Sequence, residues 1–338
     1  MNTSSDIKIE KPKIIQALIS GFETIANNPH LVLLPLLLDL FLWFGPIWRV
    51  DAFFKPLIDT LSQLPALEGP EYASILESYQ TLWMETVANF NLAVSLRTLP
   101  IGVPSLMASK STLSNPIGQP LVFSLESNLA VFGVWLGFIL IGLAMGSLYW
   151  QRISLTVLES PEGKPLRSFF RSFLQALFMP LLLIIILVIL SIPVMFLIAL
   201  LSLISPGIGQ FLSILASVIV LWILTPLIFT PHGVFLFRQN LIAAMMTSIS
   251  VVRTSLSRTA LFILSGLVLV EGLNYLWRSP PTDHWLLLVG IIGHAFIVTG
   301  VISASCYYFI DATKYTQTLM NKKESVRKTT HQDTDRME

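Results

Sequence analysis

The sequence predicts an all-α polytopic membrane protein, a transmembrane helix bundle with six spans. Three observations carry that expectation. Charged residues make up 12% of the chain and hydrophobic ones 54%, where a soluble globular domain usually carries about 25% charged residues. The apolar residues gather in six runs, each near or above the roughly 20 needed to cross about 30 Å of hydrocarbon. Lys and Arg fall mainly on alternate connections between those runs, as the positive-inside rule requires.

The runs can be justified in order. His30–Trp48 follows a mixed polar N-terminal segment and continues into WRVDAFF without a small-residue cleavage site. It is longer than the ~7–15 residues of a signal-peptide core and reads as an uncleaved span. Leu129–Trp150 carries Gly133, Gly137, Gly142 and Gly146. These form two G-x-x-x-G pairs, which let helices approach closely. Packing inside the bundle is the simpler reading of these glycines, and the seam of a homo-oligomer is the sharper one. Phe173–Ile204 is over-long and holds Pro180 and Pro193, so tilting, a kink or an interfacial start is expected. Ile208–Phe235 holds Pro226 and Pro231 near its end, with His232 beside them. A helix broken there can line a cavity. Thr259–Trp277 and Trp285–Ile310 complete the six. Trp48, Trp150, Trp277 and Trp285 lie at span ends, where an indole favours the interface.

Sixteen of the 21 Lys and Arg residues fall on the N-terminal segment, the second and fourth connections and the 311–338 polar tail. Arg49, Lys55, Arg97, Lys110 and Arg278 fall on the other side. Both termini are therefore expected in the cytoplasm, across a plasma or bacterial inner membrane, which an even number of spans permits. Before each odd-numbered span lies an amphipathic segment on that side: PKIIQALISGFETIANNP, KPLRSFFRSFLQALFMP and NLIAAMMTSISVVRTSLSRT. Ile15, Leu18, Ile19, Phe22 and Ile25 form the apolar stripe of the first, and Leu241, Met245, Ile249, Val252 and Leu256 that of the third. Each can lie in the interface plane. The unit would be interfacial helix, span, span, three times over. Either this is a parallel repeat about an axis along the membrane normal, or helices entering a membrane simply tend to be amphipathic.

The segments ALISGFETIANNP and MMTSISVVRTSLSR, each feeding a hydrophobic hairpin, resemble the pattern in uncharacterised bacterial six-span membrane proteins. Those are distantly similar to the membrane domain attached to some glycerophosphodiester phosphodiesterases. The resemblance covers the membrane part and not residues 49–128. It implies the six-span fold and no catalytic residues, and this chain contains no phosphodiesterase catalytic domain.

Residues 49–128 form the one sizeable non-membrane region, expected as an extracytoplasmic cap. VDAFFKPLIDTLSQL and EYASILESYQTLWMETVANF read as amphipathic helices, and TLPIGVPSLMASKSTLSNPIGQP as irregular chain. The region carries seven acidic and four basic residues. That balance is explained by tolerance of acids on the translocated side or by attraction of cations.

Three ionisable residues fall inside spans: Asp39, Glu271 and His294. At 1.5 Å per residue they lie roughly 14, 18 and 14 Å into their spans, all at middle-to-outer depth. An acid there costs at least ~2.5–3.5 kcal/mol and must find a partner. One reading is a polar site in which Asp39 or Glu271 binds a cation or exchanges a proton and His294 relays it. The other is structural pairing, with Asn274 one turn from Glu271 and His294 donating between helices.

Formal net charge is +1, which gives no footprint for nucleic acid. One cysteine, Cys306, excludes an intrachain disulfide and reads as a packing residue. No H-E-x-x-H, G-x-S-x-G or phosphate-cradling P-loop occurs, so no cofactor, metal or catalytic residue is expected. The expected partners are the lipid bilayer and a lipid or small-molecule ligand. The leading functional expectation is a non-catalytic protein that binds or transports a lipid, small amphiphile or solute. A membrane organiser comes second and an intramembrane lipid-modifying enzyme third.

Overall fold

The computed structural model describes residues 10–51, 53, 54, 56, 60, 78, 81–84, 86, 87, 89–110, 114–159 and 165–334. Most of the two amphipathic helices expected between residues 50 and 90 lies outside the described residues.

The chain is helical and multi-pass by length and composition. Its main elements are α1 (Ile14–Asn27), α2 (Leu33–Phe44), α3 (Asn128–Val157), α4 (Pro165–Ser202), α5 (Pro206–Leu224), α6 (Thr230–Phe235), α7 (Leu241–Thr254), α8 (Leu256–Trp277) and α9 (Leu287–Thr334). Among the described residues, five helical stretches are long and apolar enough to cross a membrane. They are Asn128–Val157, Phe169–Ser202, Pro206–Phe235, Leu256–Trp277 and Leu287–Ser325; a sixth is reached if α1 and α2 count as one broken span.

The first expected span, His30–Trp48, departs most from a straight helix. A 3-10 turn, Pro29–Val32, precedes α2, and α2 stops at Gly45 with the Gly45 amide on the Phe41 carbonyl at 2.8 Å. Pro46 follows, and a residue before proline is pushed to extended backbone; Gly45 has ψ 178°. The 12 residues of α2 reach only about 18 Å, short of the hydrocarbon thickness. Trp48 lies in a three-residue strand, β1 (Ile47–Arg49), which pairs in parallel with β2 (Val122–Ser124) in the register Ile47 to Val122. This ribbon, which an all-α reading does not foresee, pairs the backbone of the chain entering and leaving the loop region.

Two other boundaries differ from expectation. The amphipathic segment before the third span is not a separate helix. It is the first part of α4, which runs unbroken through Pro180 and Pro193. At the other end, α9 continues from its apolar part far into the polar tail. Residues 311–334 contain no Gly or Pro, so nothing in them ends a helix.

The chain divides into two compact units. The first comprises Met1–Asn27, Trp150–Leu267 and Gly300–Glu338, and the second Asn28–Tyr149 and Val268–Thr299. In the first, Phe229, Phe262, Tyr308 and Phe309 form an aromatic core, with Phe262 stacked on Tyr308 at 4.5 Å and 11°. Gly21 of α1 sits against the backbone of Ala304 in α9. The helix break at Pro226 is repaired by Ser248 of α7. Its hydroxyl donates to the Pro226 carbonyl at 2.7 Å and accepts from the Phe229 amide at 3.1 Å. A side chain that re-satisfies freed backbone groups is what makes such a break tolerable in lipid.

On α1 and along the most apolar stretches, most large apolar residues face outward. Small residues pack inward, as Ala17, Gly21 and Thr24 do on α1, while Ile15 and Ile19 are 74% and 52% exposed. In the most apolar stretch of α4, and in that of Pro206–Phe235, no residue is buried. Hydrocarbon is as apolar as Leu, so large apolar side chains gain little by turning inward, while small ones let backbones meet.

Candidate functional site

The second unit holds the polar groups of interest. Asp39 projects from α2 and is fully buried. Its carboxylate accepts three hydrogen bonds from one stretch of the loop region: the Ser105 hydroxyl on Oδ1 at 2.5 Å, the Met107 amide on Oδ1 at 3.0 Å and the Leu106 amide on Oδ2 at 3.1 Å. Ser105 Oγ in turn accepts from the Ala108 amide at 3.0 Å, at the start of a 3-10 turn, Met107–Ser109. Asp39 therefore caps a turn supplied by the loop. It acts there solely as an acceptor, which is what a short helical turn's free amides require.

His294 projects from α9 and is 4% exposed. Its Nδ1 lies 2.7 Å from Asn274 Oδ1 on α8. Its Nε2 is buried and has no hydrogen-bond partner. Glu271, one turn from Asn274, is exposed on the outside of α8. The structure thus places Asp39 and His294 in the interior of one unit, each with a neutral partner, and leaves Glu271 facing outward.

Arg97, which is exposed, Lys110 and Arg278 are cations of the same unit. Arg97 lies within electrostatic reach of both Asp39 and His294, and Arg278 of both His294 and Lys110. Lys110 Nζ donates to the Pro280 carbonyl at 2.6 Å. Burial and the neighbouring Arg278 hold its ammonium below the usual lysine pKa. Arg278 Nε is buried without a partner. Among the described residues, none of these three cations has a carboxylate at salt-bridge distance. A cleft of about 200 Å³ opens beside Lys110, lined in part by Asn89, Phe90, Asn91 and Met107. Trp43 closes the same end of the unit, donating from Nε1 to the Thr282 carbonyl at 2.7 Å and packing on Trp285.

The four glycines of α3 divide. A Cβ on Gly142 would meet the Leu96 carbonyl carbon at 2.9 Å, and one on Gly146 the Gly102 Cα at 2.7 Å. This pair seats the helix against the loop segment that carries Arg97. Gly133 and Gly137 have nothing within 4 Å.

The first unit has a smaller polar centre. His232 Nε2 lies 2.7 Å from Ser305 Oγ, inside a cage of Trp150, Phe229 and Phe309. Cys306 is buried beside it in sequence. Among the described residues no group of three His, Cys, Asp or Glu side chains is placed to hold a metal.

Sequence reasoning singled out Asp39 and His294 and missed Ser105, and it treated Arg97, Lys110 and Arg278 only as charges that set orientation. The one signal for Ser105 is a serine in irregular chain, a residue type whose hydroxyl bonds nearby backbone in turns. No known family model, curated protein or solved structure matches the chain. Fold and site therefore define a class, a multi-pass helical membrane protein with a buried polar interior, and no narrower family is shown.

Proposed function

We propose that the chain is a six-span protein with both termini in the cytoplasm. Charge asymmetry supports this: sixteen of the 21 Lys and Arg residues fall on one set of connections. Because Cys306 is buried, single cysteines can be added without removing it. Ser109→Cys and Ile117→Cys should react with an impermeant maleimide from outside intact cells, and Lys322→Cys only after lysis. Labelling of Lys322→Cys in intact cells would overturn the orientation.

Within that frame the protein binds or moves a lipid, small amphiphile or solute through the polar interior of the second unit. The observation that carries this reading is His294, whose buried Nε2 has no partner although its Nδ1 does. An unmatched polar atom in a low-dielectric interior costs about 1–3 kcal/mol. A fold that keeps one is accounted for if a ligand or ordered water completes it. Full-length protein purified in a neutral detergent should carry a bound small molecule detectable by native mass spectrometry, and His294→Phe should lose it while keeping its fold. Identical bound species in both proteins would sink the assignment to His294.

A further inference from the structure

Of the three ionisable residues within spans, the fold leaves one outside. Asp39 and His294 are buried, while Glu271 stands exposed on α8. It lies six residues before Trp277, roughly 9 Å inward of the level that an indole marks. An acid at such depth is costly and almost always meets protein or water. Reaching back to the interface is a device of long Lys and Arg side chains, and Glu271 is shorter. Tyr275, one turn further on, is 87% exposed. Neither side chain has a hydrogen-bond or ion-pair partner among the described residues.

The outward residues of this helix follow a fixed period. Leu261, Leu264, Val268, Glu271 and Tyr275 are spaced by three, four, three and four residues, and all are exposed. That is the 3.5-residue repeat of a left-handed helix pair, in which each seam residue enters a hole formed by four residues of the facing helix. Glu271 is the one acidic or basic residue in the repeat. A single polar seam residue is what fixes register and the number of helices. Gly272 stands beside the seam, and a Cβ there would meet nothing within 4 Å, so a second backbone can come close. The Tyr275 hydroxyl is a donor and the Glu271 carboxylate an acceptor, on one face and one turn apart. A face that carries both is self-complementary, which is what a two-fold interface requires. The open pair Gly133 and Gly137 on α3 brings small residues alone.

We infer that this face of α8 is the interface with a second copy of the chain, the two α8 helices packing in parallel about a two-fold axis along the membrane normal. Both copies share one topology, so residues of equal depth meet. The hole that receives Glu271 then includes the partner's Gly272 and the partner's Tyr275. The hydroxyl of the latter donates to the Glu271 carboxylate, and the reciprocal bond forms across the axis. Hydrocarbon in front of Glu271 is thereby replaced by a hydrogen-bond donor. The seam residues are all exposed, so this interface and the ligand site proposed for the interior stand or fall separately.

The test uses the full chain in vesicles of phosphatidylcholine and phosphatidylglycerol over a range of protein-to-lipid ratios. Single-molecule photobleaching of the labelled chain reads the dimer fraction, and oxidation by copper phenanthroline reads proximity. The parent should dimerise. Leu264→Cys and Val268→Cys should cross-link, and Leu276→Cys, exposed on the same helix but off the repeat, should not; Cys306 is buried and does not interfere. Glu271→Ala with Tyr275→Phe should weaken association roughly tenfold, the size of two interhelical hydrogen bonds in lipid. Glu271→Gln keeps a carbonyl acceptor and should dimerise as the parent does or more tightly. Gly133→Leu with Gly137→Leu should change nothing. The substituted side chains are exposed or open, so the variants keep their fold, which unfolding temperatures check. A parent that is monomeric at every ratio overturns the inference. So does undiminished association of the Glu271→Ala, Tyr275→Phe chain, or cross-linking at Leu276→Cys without cross-linking at Val268→Cys. Loss of dimers in the glycine variant alone overturns it by moving the seam to α3.

Discussion

Asp39→Ala should destabilise the second unit by about 3 kcal/mol or more, since one side chain terminates three hydrogen bonds. The Ser105 hydroxyl and the Leu106 and Met107 amides would lose their acceptor together. Leu106 and Met107 are buried to 0% and 1% exposure, so water cannot replace the carboxylate without opening the turn. Relief of the buried charge's desolvation offsets part of the loss. Asp39→Asn keeps one acceptor oxygen but turns an NH₂ group toward donors, and should fall between alanine and the parent. Thermal unfolding in detergent measures the loss, and limited proteolysis around residues 104–110 locates it. An alanine variant within about 0.5 kcal/mol of the parent, the range of a neutral surface change, would show that the turn holds without Asp39. Three of the carboxylate's roughly four lone-pair sites already point at the loop.

How much of this was legible in the sequence differs between the fold and the site. A carboxylate in the run LLPLLLDLFLWF announces that a partner exists, because the cost of leaving it alone is prohibitive. It does not say which partner. Ser105 lies 66 residues away in Pro- and Ser-rich chain with no period to place it. Depth along a helix was legible for Glu271 and His294, since rise per residue is fixed. Which face each occupies was not, because in lipid the apolar and polar faces of a span no longer map onto outside and inside. For the same reason the stripe of Ile15, Leu18, Ile19, Phe22 and Ile25 misleads as a guide to burial. Ile15 and Ile19 face outward, and the buried line is Ala17, Gly21, Thr24 and Ile25. The apolar runs identified the long helices by composition alone. The break around Asn28 and the stop at Gly45 came from Pro29 and Pro46, local signals weaker than the apolar run that surrounds them.

That burial of small residues makes Gly21 the position where a small change should do most harm in the first unit. A Cβ on Gly21 would lie 2.6 Å from the Ala304 Cα. The obstacle is backbone, which cannot rotate aside as a side-chain end can. The seam continues one turn on, where Thr24 Oγ1 and the Tyr307 hydroxyl share a hydrogen bond at 3.0 Å. Forcing α1 away from α9 therefore loses that bond as well as the packing. Gly21→Ala should cost about 1–3 kcal/mol by overpacking, and Gly21→Leu more. The expected result is a lower unfolding temperature for the first variant and little folded protein for the second. Gly300→Ala meets the Phe22 ring, its Cδ1 at 2.6 Å, and a ring can turn, so its cost should be smaller. Ile15→Ala and Ile19→Ala, on the outward face, should stay within about 0.5 kcal/mol of the parent in detergent. The comparison has an unambiguous sign. Were α1 held by its large apolar residues, as in a water-soluble helix, the isoleucine variants would be the damaging ones and Gly21→Leu would add stabilising area. If it is held by backbone approach through small residues, the order reverses, and a Gly21→Ala protein as stable as the parent would refute the seam.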